Sequence, residues 1–322
     1  MQSVRVGVIG AGNMGVHHAR IYSELPNTEL VGVVDISDTK GRLCAEAYNT
    51  EYMANYQDLF DRVDAVNIVV PTSLHYQLAV EFLRREVHVL VEKPITVDLI
   101  QAKRLVDLSK KTDCILQVGH LERFNPAVRK LREVVGQPVY LETQRLSYPT
   151  NRNLDVGVVW DLMIHDLDIL INFVNSPVVE INAMGVSVYS EFEDVAQVQL
   201  IFKNGVAASL LASRVSGERL RQLKVCEDDG RTLKLDFIDQ TLVAMRPPRN
   251  GRVAPELIPV EKDEPLRLEL SHFTDCVRLH KTPLVSGEDG KRALELAMQV
   301  LARMKLVKAK APMGKALIAL AG

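Results

Sequence analysis

Val4-Arg5-Val6-Gly7-Val8-Ile9-Gly10-Ala11-Gly12-Asn13-Met14-Gly15 begins as an apolar, β-branched run and ends in a glycine-rich turn. The turn fits GxGxxG, a pattern that becomes informative when a strand precedes it and a helix follows it, as here. Gly10 permits the tight turn and Gly12 lets the backbone approach a pyrophosphate. Gly15 allows close helix–strand packing, and the helix N-terminus favours an anion. Asn13 and Met14 complete a loop expected to line a dinucleotide. A second apolar run, residues 30–35, ends in Asp35, about 20 residues after Gly15, where a carboxylate can accept the adenosine ribose hydroxyls. Asp35 repels a 2′-phosphate and no arginine follows it directly, so the pattern favours NAD over NADP.

From this motif the reading extends along the chain. Residues 4–9, 30–35, 65–70, 87–91 and 115–119 are continuous apolar runs, as strands buried on both faces require. Helix-length stretches at 17–25, 39–48, 75–85 and 99–111 separate them. In the last, Ile100, Leu105 and Leu108 share one face while Lys103, Arg104, Lys110 and Lys111 meet solvent. This alternation predicts a doubly wound α/β, Rossmann-type domain. After about residue 136 the rhythm changes to strands at short intervals, 139–146, 178–188, 196–202, 207–215, 223–227, 233–238 and 241–245. Asn204-Gly205 and Asp229-Gly230 lie between some of them and suit tight hairpins. Residues 247–259 read as a loop, and helices return at 268–280 and 289–308. The division expected is a dinucleotide-binding domain at 1–120 and a second, mostly antiparallel α/β domain at 121–322.

Composition sets outer limits. With 322 residues, 47% of them apolar and 25% charged, the chain falls in the globular range, which excludes a disordered chain, a collagen-like fibre or a coiled-coil rod. Lys and Arg number 39 against 41 Asp and Glu. That balance gives no electrostatic case for a nucleic acid or an anionic membrane as partner. No apolar run reaches bilayer-spanning length and no export signal is visible, so a cytoplasmic protein is expected. Cys44, Cys114, Cys226 and Cys276 are scattered, without CxxC or a Cys–His cluster, so no metal site is expected.

Three short motifs carry candidate chemistry. Pro71-Thr72-Ser73-Leu74-His75 and Glu92-Lys93-Pro94 each follow a predicted strand, at the edge where such sheets bind ligands. Glu92 can tune the Lys93 ammonium; taken by itself, Lys93 also reads as a solvated loop residue. The third is Trp160-Asp161-Leu162-Met163-Ile164-His165-Asp166-Leu167-Asp168. On a helix, Asp161 and His165 share a face, and a carboxylate beside an imidazole can orient it and raise its basicity. A hydrogen-bonded histidine on a solvated acidic helix is the alternative reading of the same pattern.

With GxGxxG, Asp35, Glu92-Lys93-Pro94 and Asp161-xxx-His165 in this order, the whole chain resembles the glucose-fructose oxidoreductase / inositol dehydrogenase / rhizopine catabolism (Gfo/Idh/MocA) family of NAD(P)-dependent oxidoreductases. The resemblance implies a Rossmann domain followed by an α/β domain with a large open sheet that commonly forms a subunit interface, hence a homodimer or homotetramer. It implies hydride transfer between a sugar-like secondary alcohol and NAD. Lys93 and His165 would be the acid/base residues, with Asp161 binding substrate and orienting His165. Pro71, Thr72 and His75 would line the nicotinamide side, with Glu92 beside Lys93.

Within the family, Gly119-His120-Leu121-Glu122-Arg123-Phe124-Asn125-Pro126 and Asp155-Val156-Gly157-Val158 are most similar to a branch acting on C3 of UDP-N-acetylglucosamine. That branch prepares 2,3-diamino sugars for lipid A or other surface glycans. Arg123 and Asn125 suit a pyrophosphate or sugar hydroxyls. Arg145 and Arg152 flank the region, and a surface ion pair is the plainer reading for Arg145. Many members carry a glycine-rich stretch before the Asp-xxx-His helix, whereas here Gly157 is followed by Val158-Val159-Trp160, which leaves the shape of the substrate pocket open. A free-polyol or aldose dehydrogenase, a glycosidase that uses NAD transiently, and a non-catalytic NAD-binding sensor are the rivals.

Overall fold

A computed structural model describes residues 3–149, 154–246 and 255–309. The chain forms two compact units. The first opens with β1 (Val4–Ile9), α1 (Asn13–Glu24), β2 (Thr28–Val34), α2 (Asp38–Ala47) and β3 (Glu51–Met53). It continues through β4 (Ala65–Ile68), α3 (Thr72–Leu83), β5 (His88–Glu92), α4 (Leu99–Lys111) and β6 (Leu116–Gly119). All six strands are parallel, in the order β3-β2-β1-β4-β5-β6. Every residue of β4 and β6 is buried, as helices on both faces of a parallel sheet require. The strand order reverses between β1 and β4, so the C-terminal ends of these strands flank a topological switch point.

The second unit comprises α5 (Pro126–Val134), β7 (Pro138–Leu146), α6 (Ile164–Val174), β8 (Val178–Ser187), β9 (Val195–Phe202) and β10 (Ala207–Ser213). β11 (Leu220–Glu227), β12 (Thr232–Asp236), β13 (Thr241–Met245) and β14 (Pro255–Ile258) follow. The chain then forms α7 (Pro265–Leu279), α8 (Gly287–Arg303) and β15 (Met304–Lys308). The second sheet runs β14-β13-β12-β11-β7-β10-β9-β8-β15 and is mostly antiparallel; β7–β10 and β8–β15 are its parallel pairs. Along β9, Ala196, Val198, Leu200 and Phe202 are buried while Gln197 and Gln199 are exposed, the period-two pattern of a sheet with one covered face. The tight turns at Gly205 and Gly230 have φ of +87° and +81°, conformations that glycine tolerates.

The structure departs from expectation in several places, the unanticipated helix α5 among them. β3 was not anticipated; three residues give too short a signal. Residues 255–258, read as part of a loop, pair with β13 as an edge strand. The last helix ends at Arg303, and Met304–Lys308 leaves it to run parallel to β8. The division also differs from 1–120 and 121–322. The first unit extends to Phe124 and takes back Asp263–Leu294, while the described residues of Asn125–Lys262 and those from Glu295 to Ala309 form the second. The reason lies in α7, whose Leu266, Leu270, Phe273 and Val277 recur at helical spacing and join Val4, Val6, Ile21 and Tyr22 in one core.

Candidate active site

Gly10, Asp35, Pro71 and Lys93 follow β1, β2, β4 and β5, and parallel pairing places all four at one edge of the first sheet. Gly10 has φ +105°, and a Cβ there would meet the Val69 carbonyl at 2.3 Å. A Cβ on Gly15 would lie 1.7 Å from the Gly10 carbonyl oxygen, so helix and loop touch backbone to backbone. Around Gly12 nothing lies within 4 Å of that position, which leaves open the space a pyrophosphate needs. Helix α1 starts at Asn13 with no side-chain cap and no acidic residue in its first turn, so its leading N–H groups remain available to an anion. Met14 packs partly against the core.

Asp35 accepts Ala11 N–H at 2.6 Å and Ser37 N–H at 2.7 Å, which aligns its carboxylate beside the glycine loop. Two oxygens that each accept one bond keep lone pairs for ribose hydroxyls. The next residue, Ile36, is fully exposed. An apolar side chain here offers a surface to an adenine and nothing to a 2′-phosphate. These features fit NAD.

The neighbouring strand ends are tied together. Pro71 is exposed and Thr72 half-buried at the uncapped start of α3. His75 is buried, with Nε2 2.8 Å from the Val70 carbonyl and Nδ1 2.9 Å from that of Pro94. Burial pushes this imidazole below its usual pKa range, against the pull of the two carbonyls. A neutral ring carries one N–H, so it donates to one carbonyl at a time. His75 therefore holds the ends of β4 and β5 in place from inside the protein.

Glu92 and Lys93 are partly buried, and the Lys93–Pro94 peptide is cis. Lys93 N–H donates to Glu92 Oε2 at 3.2 Å, and His18 Nε2 lies 3.3 Å from Glu92 Oε1. Burial works to raise the Glu92 carboxyl. The neighbouring His18 side chain, the charge of Lys93 and the Lys93 N–H outweigh it and hold the group below the usual range.

In the second unit, a π-helical turn, Val159–Met163, leads into α6 and carries Asp161. Such wide turns recur at functional sites. Asp161 is half-buried and His165 lies near the start of α6, largely buried. The acidic residues beyond them are not solvated. Asp166 pairs with Arg145 at 2.8 Å, each side chain 2% exposed, and the guanidinium lies 5.1 Å from the Phe237 ring centroid. Arg145 is thus an ion-pair residue, though a buried one, and it anchors α6 to β7. The turn is held at its start by Glu193, which accepts Val158 N–H on its carbonyl and Val159 N–H on its carboxylate. Arg214 pairs with Asp194 and donates to the Val156 carbonyl.

Two residues expected to touch substrate have structural partners. Asn125 accepts Ala127 N–H as the cap of α5 and donates to the Phe237 carbonyl at 3.0 Å, so both ends of its amide are used within the second unit. Arg123 is buried and donates to the Leu284 carbonyl at 2.6 Å within the first. Arg152 lies outside the described residues. The sequence reading did not find His18, Asn67, Ile36 or Glu193. Asn67 left a signal, a lone amide in a buried strand, which must find a partner; the others left none.

Residues 4–120 match the model of an oxidoreductase family with an NAD-binding Rossmann fold, and residues 128–232 match the GFO/IDH/MocA C-terminal domain. UDP-N-acetylglucosamine 3-dehydrogenase of Acidithiobacillus ferrooxidans is 34% identical over 93% of this chain and 97% of its own. Its solved structure superposes with a TM-score of 0.89, covering 94% of this chain and 98% of that one. Myo-inositol 2-dehydrogenase of Thermotoga maritima is 31% identical over 91% and 94% of the two chains. Among the described residues no helix is long and apolar enough to cross a membrane. The chain belongs to the GFO/IDH/MocA oxidoreductase family and is an NAD-dependent dehydrogenase acting on a sugar-type alcohol.

Proposed function

We propose that the protein oxidises the C3 hydroxyl of UDP-N-acetylglucosamine to the 3-keto sugar, a step that readies C3 for amination toward 2,3-diamino sugars. The observation that carries the reading is Glu92-bound Lys93 at the strand edge that also bears the glycine loop and Asp35. The substrate assignment rests on the Acidithiobacillus enzyme, similar over nearly the full length of both chains. When bound, NAD supplies the hydride acceptor. The Gly10–Gly15 backbone and Asp35 hold its diphosphate and ribose, with Pro71 and Thr72 toward its nicotinamide.

The chain's own work concerns the hydroxyl proton. An imidazole nitrogen of His165 accepts it, and Asp161 orients that ring. Lys93 Nζ donates a hydrogen bond to the oxygen as negative charge develops there. Arg152 is the basic residue assigned to the diphosphate. Arg123 and Asn125 support the site from within the protein, as their bonds to Leu284, Ala127 and Phe237 provide. The enzyme works in the cytoplasm, where its cofactor and a nucleotide sugar are both present, as a homodimer or homotetramer.

The test is single-turnover NADH formation with excess enzyme, comparing UDP-N-acetylglucosamine with UDP-glucose, myo-inositol and glucose. A burst with UDP-N-acetylglucosamine alone is expected. Lys93→Ala should keep NADH affinity and lose roughly 10²-fold or more in turnover, the lower end for an acid/base group. A burst with myo-inositol instead would replace the substrate, and undiminished turnover in Lys93→Ala would remove that residue's role.

A further inference from the structure

Behind Lys93 a buried line of polar side chains crosses three elements of the first unit. Tyr22 on α1 donates its hydroxyl proton to Asn67 Oδ1 on β4 at 2.8 Å. Asn67 Nδ2 lies 2.9 Å from His18 Nδ1, and His18 Nε2 lies 3.3 Å from Glu92 Oε1 at the end of β5. Glu92 Oε2 accepts the Lys93 N–H. Tyr22, Asn67 and His18 are completely buried.

The donors give this line a direction. An amide Nδ2 can only donate, so His18 Nδ1 accepts, and the single proton of a neutral ring sits on Nε2, the nitrogen 3.3 Å from Glu92 Oε1. The far side of Glu92 is shaped as well. A Cβ on Gly119 would lie 2.9 Å from Glu92 Oε2, so glycine on β6 leaves the carboxylate its place. Nothing in the packing of a parallel sheet calls for this set. Asn67 interrupts a strand buried at every position, where an aliphatic residue would need no partner. What the line accomplishes is to fix one carboxylate, and that carboxylate adjoins Lys93.

We propose that His18, backed by Asn67 and Tyr22, is a positioning residue for the dehydrogenase reaction, fixing the Glu92 carboxylate and through it the Lys93 backbone. The inference rests on Lys93 acting on the substrate. It also links two parts of the site, because α1 starts at the phosphate loop and carries His18 on its second turn. His18 acts through Glu92 and touches neither substrate nor cofactor.

The experiment compares wild type, His18→Leu, His18→Gln and Gly119→Ala. It measures kcat and KM with NAD and whichever panel sugar gives turnover, NADH affinity by fluorescence, and the ring ¹⁵N shifts of His18 in the cofactor-free protein at pH 7. His18→Leu should lose roughly tenfold or more in kcat, a part of what an acid/base group contributes. Its NADH affinity should stay within about twofold of wild type, since α1 keeps its free N–H groups. Glutamine can place an N–H where the ring Nε2–H stood, so His18→Gln should regain most of the loss. Gly119→Ala, which pushes on the carboxylate from the other side, should reproduce the fall in kcat. The ¹⁵N shifts should report the Nε2–H tautomer.

Wild-type kcat in His18→Leu would overturn the proposal. So would a parallel loss of kcat and NADH affinity without rescue by glutamine, or an Nδ1–H tautomer. If His18→Leu does not fold, Gly119→Ala and the tautomer decide. Equal turnover in wild type and Lys93→Ala would instead remove the Lys93 reading, an outcome the tautomer measurement keeps separate.

Discussion

At the scale of single residues, Asp35 shows how one carboxylate can brace a loop and keep lone pairs for a cofactor. Its two oxygens hold the backbone of Ala11 and Ser37, so the acid is aligned before any ligand arrives. Hydrogen bonds to a charged group contribute about 1.5–3 kcal/mol each. Asp35→Ala should therefore weaken NAD binding roughly tenfold to hundredfold while leaving turnover at saturating NAD little changed; an unaltered NAD affinity in titration would refute the assignment. The motif around Asp35 was legible because it is local in sequence and each position answers to one steric or electrostatic demand. Asn125 was not legible in that way. Its residue type suits a sugar hydroxyl, yet the same amide is also a good helix cap, and type alone does not choose between them.

At the scale of elements, the turn that carries Asp161 depends on a glycine whose neighbour lies far away in sequence. A Cβ on Gly157 would fall 1.9 Å from Glu193 Oε1, the carboxylate that accepts the Val159 N–H. Gly157→Ala must displace Glu193 and release the start of the π-helical turn. The expected cost is about 1–3 kcal/mol, the range for overpacking, read by urea unfolding. Turnover should fall further than NADH affinity, since the change lies in the unit without the glycine loop. Unchanged stability and turnover would mean that Glu193 moves aside freely. The spacing of Asp161 and His165 suggested a plain α-helix, with a solvated acidic face as the alternative reading. The structure shows a wide turn and a buried pair between Asp166 and Arg145 instead, because β7 brings a guanidinium to that face.

At the scale of the molecule, the return of α7 to the first unit places Glu269 in the core behind the strand ends. Glu269 is fully buried and its carboxyl oxygens have no hydrogen-bond partner among the described residues. Burial, and then the charge of Glu92, push its carboxyl well above the usual range. The folded state thus keeps this proton to higher pH than the unfolded chain, whose glutamates titrate near about 4.3. Stability linked to the group is fully present below that pH and is lost as pH rises through the raised value. Glu269→Gln should then match the pH behaviour of wild type in acid and gain on it steadily as pH rises, in melting temperatures measured from about pH 5 to 9. A constant difference across that range, or wild type gaining on the variant, would show that Glu269 is ionised in the fold.

The sequence by itself determined the doubly wound sheet, the glycine loop with its acid, and the strand-end position of Lys93. Each depends on residues within a few positions of one another, on alternation of apolar runs, or on the parallel pairing that such runs impose. Only the tertiary structure decided that α7 packs beside β1, that 304–308 pairs with β8, and that Arg123, Asn125 and His75 hold the protein's own backbone. It alone joined Tyr22, Asn67, His18 and Glu92 in one line. The physical reason is common to these cases. A polar side chain takes whichever partner the fold brings within about 3 Å, and that partner is set by packing between segments distant in the chain.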